Sequence, residues 1–449
     1  MRIGTFARIA REIATRNADG MITRGFRELA TQALNGRARP YVRFLLADLA
    51  RYSSNTPRPV QGDTRARATL AARWLARAHD ATGDGGLSYG YFPFKSANGW
   101  CESYPETTGY TIPTLLQHAL VSGQPEYRER ALQMATFVTQ CQMPSGAIYA
   151  GTVRAVEQRV AVAFNTGMAL QGLLAAYRDT GEAVYRTGAR SAADFLISDI
   201  RDDGHFHSHG PFAGPKAVKT YTCLCAWPLF EAGREFGCQR YCDAALRVGR
   251  AVLRLQEANG WFAENCLSHR AYAPLLHTIG YTLQGLLELG ISSGEDELIE
   301  AARRGLRGLL PYCDRGFLHG RWFADWQPAA LSSCLTGAAQ VAVVCYRFGE
   351  HTGEARYQRA ADAVLDYLKA LQVTAADAPP DVVGAIGGSF PLIGAYMPNG
   401  FPGWATKFFL DALLCQDAAA AAASLTADSR DKVRPPSAFA TADSRARLR

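Results

Sequence analysis

Apolar residues recur along this chain at helical spacing, in two alternating kinds of segment. The first kind opens with a polar residue and small residues, then turns apolar on nearly every side. Three copies are Glu106-Thr-Thr-Gly-Tyr-Thr-Ile-Pro-Thr-Leu-Leu, Asn165-Thr-Gly-Met-Ala-Leu-Gln-Gly-Leu-Leu and His277-Thr-Ile-Gly-Tyr-Thr-Leu-Gln-Gly-Leu-Leu. Ser333-Cys-Leu-Thr-Gly-Ala-Ala-Gln continues the series. Lys219-Thr-Tyr-Thr-Cys-Leu-Cys-Ala-Trp is a divergent copy, and Gly403-Trp-Ala-Thr-Lys-Phe-Phe-Leu is the last.

A break follows each copy, as in Ser122-Gly-Gln-Pro-Glu-Tyr or Asp179-Thr-Gly-Glu-Ala-Val-Tyr. Glycine there ends one helix, and the next begins close behind it. These second helices, residues 128–140 and 357–371 among them, carry an apolar stripe opposite a charged face. They read as an outer layer around the all-apolar inner helices. Short turns such as Asp84-Gly-Gly-Leu-Ser-Tyr and Asn259-Gly-Trp-Phe then lead, through a short strand, into the next inner helix.

The pattern predicts an all-α toroid of six helix-hairpin repeats, with short β connections at one end. Residues 55–415 form that ring. Residues 1–54 read as a helical extension, and 416–449, rich in Ala, Ser and Arg, as a disordered tail. All six inner helices start at the same end, so their polar first residues and preceding loops converge there.

Composition narrows the function. Of 449 residues, 48% are hydrophobic, enough for a large core. The formal net charge of +7 favours an anionic partner, such as an acidic polysaccharide, by field alone. No nucleic-acid motif accompanies it, and nucleic acid is not expected as a partner. Eleven cysteines, irregularly spaced and often inside apolar helices, read as free thiols of a reducing compartment. The first 24 residues lack a continuous apolar core and a cleavage site, so they are no secretory signal. No apolar run reaches membrane length, and the default location is the cytoplasm. Gly384-Ala-Ile-Gly-Gly is too loose for a nucleotide fingerprint, and neither a Walker lysine nor a Gly-x-Ser-x-Gly elbow occurs. No cofactor is expected.

The repeated helix–Gly–helix–turn units, over residues 65–415, resemble the (α/α)6 toroids of glycoside hydrolases, polysaccharide lyases, sugar epimerases and isomerases, and terpenoid cyclases. The segment Gly99-Trp-Cys-Glu-Ser-Tyr-Pro-Glu-Thr-Thr-Gly-Tyr is similar to one in toroid proteins of bacterial exopolysaccharide gene clusters. The resemblance implies a carbohydrate-active enzyme of exopolysaccharide biosynthesis, acting on an oligo- or polysaccharide. An Asp-x-Asp-Asp ionisation motif of the cyclases is missing.

Within that frame the loop into the first inner helix holds Glu102, Tyr104 and Glu106 beside Trp100 and Tyr110. Carboxylates move protons or bind hydroxyls, and aromatic rings stack on sugar faces. Glu106 also stands where a helix N-terminus favours an acid for its own sake. The loop Arg321-Trp-Phe-Ala-Asp-Trp repeats the composition, with Asp325 between Trp322 and Trp326. Facing each other about 6.5–9.5 Å apart, Glu106 and Asp325 would suit an inverting hydrolase. Asp325 as a loop cap or a partner of Arg321 is the other reading.

A lyase or uronate C5-epimerase would draw on a different set: His277 with Tyr221 or Tyr281, supported by Asn165. Lys219, Glu264, Trp404 and Lys407 lie on the same rim and add binding groups. A non-catalytic glycan-binding scaffold is the third reading. His205, His207 and His209 alternate; on a strand they would share one face suited to zinc, in a loop they would be solvated, and no metal is assigned.

Overall fold

The computed structural model describes residues 39–54, 60–95, 98–214, 216–268, 271–374 and 378–432. The helix α1 (Arg39–Ser53) and the helix α2 (Thr64–Asp80) precede five hairpins. These are α3 (Pro105–Ser122) with α4 (Pro125–Cys141), α5 (Ala163–Thr180) with α6 (Ala183–Asp199), and α7 (Ala226–Phe236) with α8 (Gln239–Leu253). Then come α9 (Leu276–Ser293) with α10 (Asp296–Cys313), and α11 (Leu335–Thr352) with α12 (Ala355–Leu371). The last helix, α13 (Gly403–Lys432), packs on α2 from the other end of the domain. That pairing supplies the sixth hairpin.

The odd-numbered helices from α3 to α13 form the inner layer, each touching the next, and α13 returns to α3. This is the closed (α/α)6 toroid that the repeats predict. Inner helices are enclosed on every side, which explains their sequence. In α9 nearly every residue from Leu276 to Gly290 is buried. The outer α10 buries only Leu298, Ile299, Ala301, Ala302, Gly305, Leu306, Leu309 and Cys313, the stripe of an amphipathic helix. The small residues of the inner layer permit close crossing: a Cβ on Gly172 of α5 would stand 2.2 Å from the carbonyl oxygen of Gly109 in α3. The first helix of each hairpin ends on a left-handed glycine, as at Gly123 with φ 69°.

The ring's two chain ends are bound together. Thr64 Oγ1 donates to Gln416 Oε1 at 2.7 Å, and Arg65 pairs with Asp417 at 3.0 Å. Fully buried Lys369 of α12 donates to Gln416, Asp366 and Thr64. Three two-stranded ladders sit at the end where inner helices begin. They pair β1 (Gly90–Tyr91) with β6 (Phe401–Pro402), β2 (Ile148–Tyr149) with β3 (Ala161–Val162), and β4 (Ser333–Cys334) with β5 (Ser389–Phe390), all antiparallel. The register Gly90↔Pro402 ties the first repeat to the last.

The described part of the N-terminal extension, α1, packs outside the ring. Leu45 joins the core, and the Asp48 carboxylate accepts from the Leu392 amide at 2.6 Å. Residues 1–38 lie outside the described residues. The boundary expected at residue 415 is not a break: α13 runs on to Lys432. Gln416 and Asp417 are bonded into the ring, and the run Ala418–Ala423 is the strongest helix-forming composition available. The remainder of the expected tail, 433–449, lies outside the described residues. All eleven thiols are free, most of them buried. Among the described residues no helix is long and apolar enough to cross a membrane.

Candidate functional site

A cavity of about 130 Å³ opens where the inner helices begin. Its wall takes Glu106 from α3, Asn165 from α5, Tyr221 from the 3₁₀ turn before α7, His277 from α9 and Trp404 from α13. Five stretches far apart in sequence thus meet at one mouth, as the common direction of the inner helices requires. Tyr104, Tyr281, Tyr89, Phe164 and Tyr396 make the rest of the wall largely aromatic.

Pro105 starts α3, its fixed φ suiting the first helical position, and Glu106 follows in the first turn. The helix dipole favours a carboxylate there, but burial wins: the Glu106 carboxyl is pushed up from 4.5 to about 7. A 2.6 Å hydrogen bond donated by Tyr104 Oη to Oε2 opposes that rise. At neutral pH Glu106 therefore holds comparable populations of acid and carboxylate. It is the one carboxyl among the described residues lining the cavity.

His277 occupies the first turn of α9, which stands opposite α3 in the ring. Its Nδ1 lies 2.7 Å from Oε1 of Gln340 on α11. With Nδ1 donating to that oxygen, the lone pair falls on Nε2. Burial lowers the imidazole to about 4, so the ring is neutral at working pH. It lies 4.3 Å from the Tyr281 ring and 5.6 Å from that of Tyr396, centroid to centroid. Burial holds the Tyr221, Tyr281 and Tyr104 hydroxyls well above their ordinary range, with the nearby Glu106 charge adding to it. These phenols stay protonated, as hydrogen-bond donors. Trp404 Nε1 donates to Tyr396 Oη at 2.8 Å, and Asn165 Nδ2 donates to the Tyr149 carbonyl at 2.9 Å.

Several expected residues are elsewhere. Asp325 is exposed at the tip of a hairpin on the same end of the ring, but over the outer layer. Its neighbour Trp326 is buried against Trp261 and Gly308, and Tyr312 of α10 donates to the Trp326 carbonyl. Asp325 thus falls outside the cavity wall, and the expected carboxylate pair is not assembled. Trp322 is buried edge-on to Tyr312. Both tryptophans spend their rings on packing the outer layer, which an alternation of aromatic and acidic residues does not reveal.

Glu102 is exposed and accepts from Thr152 at 2.8 Å. Trp100 packs on Trp74 of α2 and on Tyr91. Glu264 is exposed and serves through its backbone, accepting from the Thr220 amide with a positive φ of 56°. Lys219 is buried and donates to the Cys266 carbonyl at 2.7 Å. Tyr110 and Lys407 lie one layer below the cavity, with Lys407 paired to Asp411 at 2.6 Å and 5.0 Å from the Tyr110 ring.

The three alternating histidines do not share a face. His205 and His209 are buried, His207 is exposed, and only His209 lines the cavity. The segment forms isolated bridges rather than a strand, its turn held by the Asp199 carboxylate accepting from the His207 and Ser208 amides. Tyr89, Phe164 and Gln340 carry no role in the sequence reading. Tyr89 stands in one of the recurrent glycine turns, and Gln340 in the inner-helix repeat, two turns past its polar opening at Ser333.

No family model matches this chain, and no curated protein does. Solved structures do match. An unsaturated glucuronyl hydrolase specific for heparin aligns over 80% of this chain and 99% of its own, with a TM-score of 0.63 and 16% identity. D-Mannose isomerase covers 79% of this chain and 97% of its own, at TM-score 0.61 and 13% identity. Cellobiose 2-epimerase from Bacillus thermoamylovorans covers 83% and 99%, at TM-score 0.59 and 11% identity. At such identities the likeness is one of fold: this chain has the architecture of (α/α)6 toroid proteins.

Proposed function

We propose that the protein is a saccharide-transforming enzyme that moves the proton on the carbon next to a sugar's carbonyl, an isomerase or epimerase reaction. The observation that carries this reading is the one carboxyl on the cavity wall among the described residues, Glu106, poised near pH 7 and faced across the cavity by neutral His277. A group that shuttles a proton works best when its pKa lies near the working pH. The Glu106 carboxylate takes the proton from C2 of the open-chain aldose and returns it to C1 of the enediolate while the O2 hydroxyl proton passes to O1, which gives the ketose; returned to C2 after the enediolate has turned its other face to Glu106, it gives the epimer. The protonated hydroxyls of Tyr221 and Tyr281 donate to the oxygen that gains charge as the enediolate forms. His277 binds a sugar hydroxyl through its Nε2 lone pair, and Trp404 and Phe164 supply faces for the ring.

Ordinary glycoside hydrolysis uses two carboxyls flanking the bond, and among the described residues the wall offers one. Similarity of fold to an isomerase and an epimerase agrees with the proton-transfer reading, and the fold neighbour described as a hydrolase keeps hydrolysis as the rival. The setting is exopolysaccharide biosynthesis, as the likeness of residues 99–110 suggests.

The test is deuterium incorporation. Neutral aldoses and cellobiose are incubated with the protein in D2O, and the C2 hydrogen is followed by NMR. Enzyme-dependent exchange, lost in Glu106→Gln, is expected. Release of reducing ends without exchange would replace this reading with hydrolysis. Binding of sugar without any turnover would make the protein a glycan-binding scaffold.

A further inference from the structure

The cavity has two storeys. Glu106, His277 and Trp404 form the upper one, each in the first turn of its inner helix. One turn deeper on the same three helices stand Tyr110, Tyr281 and Phe408. These rings close on one another. Tyr110 lies 5.5 Å from Phe408, Tyr281 5.9 Å from Phe408, and Phe164 of α5 4.7 Å from Tyr281. Lys407 stacks beneath, 4.1 Å from the Phe408 ring, and pairs with Asp411. The lumen of the toroid is therefore plugged directly below the reactive groups, and the site is a pit with a floor.

A floor sets what can enter. A polymer cannot thread through, so its interior residues never reach Glu106. The upper storey also sets charge. Its ionisable acid is Glu106, and the other polar groups are uncharged: the phenols, Asn165, Thr278, and the imidazoles of His277 and His209, both of which burial holds below their ordinary range. Lys219, the nearby ammonium, is buried and spent on the Cys266 carbonyl. A uronate carboxylate entering the pit would meet the Glu106 charge in a poorly solvated space, where like charges repel strongly.

We infer that the pit admits the reducing-terminal residue of an uncharged saccharide, and that it excludes uronates and chain interiors. The orientation, reducing end first, rests on the proton-transfer reading above, since that chemistry needs an open-chain carbonyl beside Glu106. The basic net charge of the whole chain suggested an anionic substrate; the pit carries the opposite sign.

The experiment pairs sugars that differ in one carboxylate: D-glucose with D-glucuronate, D-mannose with D-mannuronate, D-galactose with D-galacturonate. Binding to the full chain is read at pH 8 by saturation-transfer NMR, and C2 exchange is read on the same samples. Cellobiose supplies a linear chain with a reducing end, and α-cyclodextrin a chain with none. At least one neutral aldose or cellobiose is expected to bind. Its uronate counterpart should bind about tenfold more weakly or worse, a gap that narrows to about threefold in Glu106→Gln. α-Cyclodextrin should not displace the bound sugar. A uronate that binds as tightly as its neutral partner, displacement by α-cyclodextrin, or no binding by any of the neutral sugars overturns the inference. The two claims fail separately. Selective binding without C2 exchange keeps the pit's selectivity and removes the proton-transfer reading, whereas exchange on a uronate does the reverse.

Discussion

Glu106 and His277 face each other from the first turns of α3 and α9, helices on opposite sides of a six-membered inner ring, and each has a tyrosine one turn beneath it, Tyr110 and Tyr281. The pairing follows from the topology. Every inner helix begins at the same end, so polar residues at equivalent places in distant repeats come into one space. One cause moves the two groups in opposite directions, because burial disfavours the charged form of each. Burial raises the Glu106 carboxyl to about 7, while burial lowers the imidazole to about 4, so neither carries a full charge at neutral pH.

Tyr104 is the lever on that tuning. Its hydroxyl donates to Glu106 and holds the carboxyl lower than burial alone would leave it. In Tyr104→Phe the carboxylate loses this donor and the carboxyl titrates higher, by about one pH unit. If the carboxylate is the working base, wild-type activity rises as pH passes through about 7, and in the variant that rise moves to higher pH. The pH profile of kcat/KM for C2 exchange reads the shift. A rise that stays where it was would show that the Tyr104–Glu106 contact does not set the base.

The rim acids separate the readings. Asp325 and Glu102 are exposed and outside the cavity wall. Asp325→Asn and Glu102→Gln should leave exchange within about twofold of wild type, while Glu106→Gln reduces it by about a hundredfold or more. A comparable loss in Asp325→Asn would restore the two-carboxylate mechanism.

Much of this was legible in the sequence, and the part that was not has a physical reason. Helix periodicity, the terminating glycines and the repeated inner-helix openings specify the toroid, because each repeat must bury the same faces. They also specify that Glu106, Asn165, Tyr221 and His277 meet, since that depends only on helix direction. They do not specify how far from the axis a loop residue lies. The hairpin bearing Asp325 and the loop bearing Glu106 look alike in composition, yet one folds outward because Trp326 finds a slot at Gly308, where a Cβ would stand 2.2 Å from its ring. Nor does charge composition locate charge: a chain of net +7 places a carboxyl, not a cation, at its cavity. The partner of α13 was equally hidden, because α2 lies at the other end of the domain.

The glycine crossing between α3 and α5 gives a stability prediction independent of function. A Cβ at position 172 would meet the Gly109 carbonyl at 2.2 Å and Ile112 Cδ1 at 2.7 Å, so the helices must part. Gly172→Ala should cost about 2–3 kcal/mol in urea unfolding. Gly214→Ala, where nothing lies within 4 Å, should stay within about 0.5 kcal/mol of wild type. Equal effects at the two positions would mean that the crossing is looser than described.

Holding Glu106 near neutrality has a stability cost of defined sign. In the unfolded chain this carboxyl titrates at its ordinary 4.5, in the folded chain at about 7. Between those values the folded protein keeps a proton that the unfolded chain has released, so stability falls as pH rises through the window. Below it the penalty is absent; above it the penalty is complete, up to about 3 kcal/mol, less whatever water in the cavity screens. Glutamine has the same shape and never ionises. Glu106→Gln should therefore match wild type near pH 4.5 and exceed it by about 2–3 kcal/mol at pH 8. Urea unfolding at the two pH values measures the difference. A gain that is the same at both would place the carboxyl's folded-state titration in the ordinary acidic range, and with it would go the argument that Glu106 is poised to exchange protons at neutral pH.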